Sequence, residues 1–510
     1  MNRVQIVTMK LDLIPCTSMH RNLPRLLIFL ACLCGFVESK PPKFAVTPGI
    51  QGALDAIRPD PLRGDLSFLS SDMLEGRNSP SRGLDIAAEY IAAQFRAAGL
   101  EAGGDDGYFQ TAHMAVVRPD LAGFELKLSH GGHNLSVSAN DVSLLLSAAI
   151  ELKNAPVFKL DLGDSSQVQG LTPAEIGGRV VLMELRRSGM RNYRAASQKL
   201  REAKPALILS IDTAAGEHAN SERLIDPEQP SSGPPRITLT AKTAADFYAS
   251  LKPGLSGATA SIHVAAPIQT PVRLRNVIGI LRGSDPALKD TAVLLTAHYD
   301  HLGEKPEGPG DRIYNGANDD GSGTVSVIEI ARALSTLKQH PRRSIIFMTF
   351  FGEEEGLFGS HYYAHHPAWP IAKTIADVNL EQVGRTDSSE GPQISNASVT
   401  GFDYSDVTEY LREAGELVGI KVYKNPHNDD LYFGASDNLS LAEVGVPAHT
   451  LCVAYEYPDY HAVGDEWQKI DYANMAKVDR AVALGVVMLA SSDEAPRWNT
   501  ANPRTARFRK

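Results

Sequence analysis

The run 344–351, SIIFMTFF, contains no charged residue, no Gly and no Pro. A strand that is apolar on both of its alternating faces must be covered above and below, as the strands of a parallel sheet are. Glu353, Glu354 and Glu355 follow almost at once, so this buried strand delivers acids at its carboxyl end. From Thr270 onward, strand-like and helix-like segments alternate. Strands are expected at 276–281, 292–297, 375–380 and 448–453, and helices at 324–337, 405–418, 440–444 and 474–489. The pattern predicts an α/β sheet with helices on both faces. Sites in such sheets lie outside the carboxyl ends of the strands.

The chain has 510 residues, more than one ordinary domain needs. Between about 115 and 265, short alternating apolar runs interrupted by one helix (193–203) predict a β-rich module with its own core. Upstream, Leu62, Leu66, Leu69 and Met73 recur at helical spacing. A second amphipathic helix is expected at 84–98, closed by Gly99. Residues 40–58, containing several Pro and Gly, read as a linker, and the polar residues after Ser491 as a frayed tail. At the N-terminus, Arg21 and Arg25 precede the apolar run 26–37, with Val37 and Ser39 as the small residues before a cleavage point. This is the pattern of an export signal cut after Ser39, and it is too short to span a bilayer. No other segment is apolar for long enough to cross a membrane. The protein is therefore expected to be exported, to a periplasm or out of the cell. Loss of residues 1–39, with four Lys/Arg and two Asp/Glu, takes the net charge from −10 to −12. So acidic a chain is a poor nucleic-acid binder. The cut also leaves Cys452 alone, without a partner for an intramolecular disulfide.

The chemistry-bearing residues cluster at segment ends. His298 follows the strand VLLTA, with Asp300 two residues on, close enough to orient its imidazole. His301 reads as a solvent-facing or packing residue. Asp319 and Asp320 precede Gly321-Ser322-Gly323 and a helix, where helix capping is the ordinary role; two consecutive acids also allow a carboxylate that spans two metals. Glu381 ends TIADVNL, and His461 lies in Asp459-Tyr460-His461. His298, Asp319, Glu354, Glu381 and His461 make a ligand set suited to zinc. One acid of the 353–355 run would bind metal while a neighbour stays free as general base. HExxH, Walker-type and GxSxG signatures are absent, and Cys452 in TLCVA reads as a core residue.

AHYDH, NGANDDGSG, GEEEGLFGS, NLEQVGR and YHAVGDEW together resemble the motifs of the co-catalytic zinc aminopeptidase family. That family also contains glutamate carboxypeptidase, glutaminyl cyclase and the transferrin receptor ectodomain. FLSSDMLEGRNSPSRG is similar to its leading helices, and GGRVVLMEL with the following helix resembles an inserted protease-associated domain. The resemblance implies a zinc exopeptidase-like mixed sheet sandwiched by helices. Its implied divisions are a signal peptide (1–39), an N-terminal peptidase part (59–130), a protease-associated domain (131–267), the catalytic domain (268–492) and a disordered tail (493–510). It also implies two zinc ions per chain. His298 and Glu381 would hold one, Glu354 and His461 the other, and Asp319 would bridge them. Glu353 would be the general base, Asp300 would orient His298, and the Asp319–Asp320 peptide would be cis. The chain departs at Glu381, where many members carry Asp, and at Asn438, where His is common. The implied activity is aminopeptidase action on peptides with a free N-terminus. A glutaminyl cyclase-like acyltransferase with one zinc, a carboxypeptidase and a receptor-like binding module are the alternatives.

Overall fold

The computed structural model describes residues 44–510 except 186–189, 214–221, 230–232 and 306; the signal expected at 1–39 lies outside the described residues. The protein is α/β. Its main sheet has ten strands. In spatial order, nine of them are Lys421–Tyr423, Asn396–Val399, Ala448–Cys452, Thr374–Glu381, Ala292–His298, Ser344–Phe350, Ile268–Leu281, Phe109–Arg118 and Arg223–Ile225, with Glu101–Ala102 pairing beside Ile268–Leu281. The four central strands, from Ala448–Cys452 to Ser344–Phe350, run parallel.

The apolar run is covered on both sides, as its composition requires. Ile346 and Met348 join Leu294, Tyr363 and Leu441 in one core. Alternate residues Val293, Leu295, Ile345 and Phe347 are equally buried on the opposite face, where Phe347 meets Phe95 at 6.5 Å. Helices Gly323–Ser335 and Tyr472–Ser491 pack against the central strands. Asp479, in the second of them, is fully buried, and among the described residues neither of its oxygens has a hydrogen-bond partner. Burial pushes its carboxyl up to about 8. The folded form therefore holds a proton that the unfolded form releases near pH 4. Stability from this group is intact below about pH 4 and is lost as pH rises to about 8, with a slope near 1.4 kcal/mol per unit. Asp479→Asn is expected to raise the melting temperature at pH 8 and to leave it nearly unchanged at pH 4, as read by thermal unfolding at both pH values.

A second sheet of eight strands runs from Glu125–His130 to Gly254–Val264 in sequence. It has cores on both faces, one around Leu182, Leu209 and Tyr248, the other around Leu160, Val181 and Leu200. Its first strand begins before residue 131. Strand Ile268–Leu281 is longer than the expected 276–281, because its first half pairs with Phe109–Arg118 and its second with Ser344–Phe350.

Two expectations about the ends of the chain need correction. Within the expected linker, Pro48–Ala56 is a helix, with Thr47 as N-cap and Pro48 in its first turn. It buries Ala53 and Leu54, and Arg480 donates to the Leu54 and Ile57 carbonyls. Nor is the segment 493–510 a disordered tail. Trp498 and Phe508 stack at 5.2 Å, and Phe508, only 1% exposed, also meets Phe433. Two buried aromatic rings supply enough apolar burial to order a short polar segment. Phe508→Ala is expected to destabilise the protein by about 3 kcal/mol, the low end for such a truncation because the end of the chain can detach locally. Urea unfolding checks this.

Candidate metal centre

Each predicted site residue sits where a strand or turn ends. His298 is the last residue of Ala292–His298, and Glu381 the last of Thr374–Glu381. Glu353 and Glu354 follow Ser344–Phe350. Asp319 and Asp320 lie in an irregular turn ahead of helix Gly323–Ser335, and the peptide between them is cis, as expected. The two acids divide the roles left open by the sequence. Asp320 caps, its Oδ1 accepting from Gly323 N and Gln382 N at 3.0 Å each. Asp319 is thereby free to face the centre. The turn is held from below by Asp465, whose carboxylate accepts from Asn318 N at 2.9 Å and Asp319 N at 3.1 Å.

The carboxylate of Asp319 is shared between two imidazoles. Its Oδ1 lies 3.3 Å from His298 Nε2 and its Oδ2 lies 3.1 Å from His461 Nε2. Around His298, Glu381 Oε1 is at 3.2 Å. Around His461, Glu354 Oε2 is at 3.3 Å. Two ligands about 2.05 Å from a tetrahedral zinc stand about 3.3 Å apart, so these four separations are those of ligand edges. The donor chemistry also fits, with one imidazole nitrogen and two carboxylate oxygens on each side. His298, Asp319 and Glu381 form one group able to hold a metal; His301, Asp319 and Glu354 form another.

The groups that orient these ligands are visible as well. His298 Nδ1 faces the Asp300 carbonyl at 3.2 Å and its Oδ1 at 3.5 Å. Asp300 Oδ1 also accepts from Glu353 N at 3.1 Å, and its Oδ2 from Ser79 Oγ at 3.2 Å. Ser436 Oγ donates to Glu381 Oε2 at 2.7 Å, leaving Oε1 toward His298. The extra methylene of Glu381 is thus accommodated by an anchor on its outer oxygen. Arg77, 1% exposed, donates to the carbonyls of Tyr299, Asn315 and Gly316, tying the loop after His298 to the one before Asp319.

Electrostatics match a cation-binding centre. Burial opposes charge on Asp319, yet bonds to His298 and His461 hold its carboxyl far below the usual range. Burial likewise opposes charge on His461, but Asp319 and Glu354 push it up to about 10. A site that favours a proton so strongly on Nε2 favours a metal on the same lone pair. Burial drives Glu353 well above the carboxylate range, with Glu381 and Glu354 adding to the shift and His298 opposing it. Glu353 Oε2 stands 3.9 Å from His298 Nε2, outside the ligand edges.

Asp465, Ser436 and Arg77 were not singled out by the sequence, and of the two roles expected for His301, solvent-facing or packing, the solvent-facing one fails. His301 is fully buried, with Nδ1 2.7 Å from Glu354 Oε1. Beside the acids lies a cleft of ≈ 120 Å³, walled by Tyr432, Ala435, Thr450, Tyr455, Glu456 and Tyr460. A larger cavity of ≈ 630 Å³, lined by Leu146, Leu200, Ile208 and Arg223, brings no metal-ligand set with it.

Residues 276–486, which contain every one of these ligands, match the sequence model of peptidase family M28. Over these residues the chain is similar to that family. A probable zinc metalloprotease of Leptosphaeria maculans is 40% identical over 133 residues, 25% of this chain and 28% of that protein. Aminopeptidase YwaD of Bacillus subtilis is 27% identical over 229 residues, 44% of this chain and 46% of that protein. The chain thus spans less than half the length of these two curated relatives. The solved aminopeptidase from Aneurinibacillus sp. strain AM-1 shares the fold, with a TM-score of 0.55 over 88% of this chain and 97% of that one at 20% identity.

Proposed function

We propose that the M28 region is a zinc peptidase of the aminopeptidase type, working through two ions that share Asp319. The observation that carries this reading is the division of the Asp319 oxygens between His298 and His461 at 3.3 and 3.1 Å. His298 and Glu381 would hold one ion and Glu354 and His461 the other, with Asp300 orienting His298. A zinc pair bound there supplies positive charge that makes water acidic near neutral pH and polarises the scissile carbonyl. Glu353, held outside the ligand set with a raised affinity for protons, accepts the proton of the attacking water and delivers it to the leaving amine. The narrow cleft beside Glu353 fits one side chain, which suits removal of residues singly from a free N-terminus.

The eight-stranded sheet is proposed as a protease-associated module, and residues 1–39 as an export signal that directs the mature chain to a periplasm or out of the cell. Among the described residues, no helix is long and apolar enough to cross a membrane.

The test is a panel of aminoacyl anilides, their N-acetylated forms and N-glutaminyl peptides, assayed with and without a chelator. Cleavage confined to unblocked amines, lost with chelator and restored by zinc, is the expected result. Equal cleavage of blocked substrates overturns the aminopeptidase reading, and cyclisation of N-terminal Gln without hydrolysis replaces it with acyl transfer.

A further inference from the structure

His301 stands inside the centre without being one of the expected ligands. Its backbone N donates to the Arg77 carbonyl at 3.1 Å. Its ring lies against Gly316, where an added Cβ would come within 2.5 Å of His301 Cγ. The backbone thus fixes where this imidazole sits. Among the described residues neither ring nitrogen has a hydrogen bond, and Glu354 Oε1 has none either. Leaving such atoms unpaired in the interior is costly. The two unsatisfied atoms, His301 Nδ1 and Glu354 Oε1, face each other at 2.7 Å. The N–H is out of line with Oε1 in this arrangement.

We propose that His301 positions Glu354: its Nδ1–H donates to Oε1 and so commits Oε2 to the second ion. The inference rests on the dinuclear reading. Two features separate this role from that of an extra ligand. The 2.7 Å contact is a hydrogen-bond distance, shorter than the ligand edge of about 3.3 Å expected around zinc. It also uses the oxygen opposite to the one facing His461, since Oε2 is the atom at 3.3 Å from His461 Nε2. The first ion's carboxylate is built alike. Glu381 turns Oε1 to His298 at 3.2 Å while its Oε2 accepts from Ser436 at 2.7 Å. Each terminal carboxylate thus has one oxygen for metal and one anchored by the protein. The anchors are Ser436 on one side and His301 Nδ1–H on the other. A partner of this kind is worth about 10–100-fold in metal affinity.

The experiment is zinc titration against a chromophoric chelator on the full chain, comparing wild type with His301→Leu and His301→Gln, alongside the melting temperature of the zinc-stripped proteins. The wild type is expected to take up two ions. His301→Leu should weaken one of the two sites about 10–100-fold and leave the other site and the stripped melting temperature unchanged. His301→Gln, whose amide can still donate to Oε1, should recover most of that loss. Unchanged affinity at both sites in His301→Leu overturns the inference alone, as does equal weakening of both, which marks a general packing role. A wild type that takes up one ion overturns the dinuclear reading and this inference with it. Should the leucine variant not fold, His301→Gln is compared with His301→Asn, whose shorter amide should not reach Oε1; equal zinc affinities in that pair overturn the inference.

Discussion

Glu353→Gln is expected to lower kcat by about 10²–10⁴-fold while leaving KM and zinc content near wild type. The glutamine keeps the shape of the side chain and can still hydrogen-bond a water, but it cannot take its proton. The backbone of residue 353 stays fixed, because its N–H donates to Asp300 Oδ1 at 3.1 Å whatever the side chain. Metal content should hold because Glu353 stands 3.9 Å from His298 Nε2, beyond the ligand separations. Steady-state kinetics with metal analysis on the same sample checks both halves. Full activity in this variant removes Glu353 from the role of base.

Asp319→Asn should do greater damage by a different route. Each Asp319 oxygen faces a different imidazole, and an amide can offer only one oxygen. The variant also loses the charge that offsets two cations. A partner bound to a ligand is worth about 10–100-fold in metal affinity, so removing the shared ligand itself should cost at least about 100-fold at each site. Zinc raises the stability of a chain that binds it in the folded state. Excess zinc is therefore expected to raise the melting temperature of the wild type strongly and that of Asp319→Asn little. Without zinc the variant should be less stable than the wild type, because the carboxylate that pairs with both buried imidazoles is gone. An equal zinc-induced rise in both proteins would falsify the bridging role.

The ligands were legible in the sequence for a physical reason. An apolar strand such as Ser344–Phe350 must be central, and a polar residue at its carboxyl end must then lie at the rim where sites form. His298, Glu353, Glu354 and Glu381 all follow that rule. The groups that hold them are less visible. Ser436 and Asp465 come from loops, and a lone Ser or Asp in a loop looks the same whether it anchors a ligand or faces water. For His301 the sequence left a solvent-facing and a packing role open, because the Arg77 carbonyl and Gly316 meet it only in the folded chain. At the chain ends the signal was too sparse. Trp498 and Phe508 are separated by polar residues with no period, and only the surface they pack on explains why that segment is ordered. Helix Pro48–Ala56 was obscured by Pro48, Gly49 and Gly52, although Pro is favourable in a first turn.

Anomalous scattering at the zinc absorption edge, from crystals grown with zinc, is the most direct check on the dinuclear centre. Two peaks are predicted on either side of the Asp319 carboxylate, one touching His298 and Glu381, the other Glu354 and His461. A single peak, or a pair in which Asp319 touches only one ion, contradicts it.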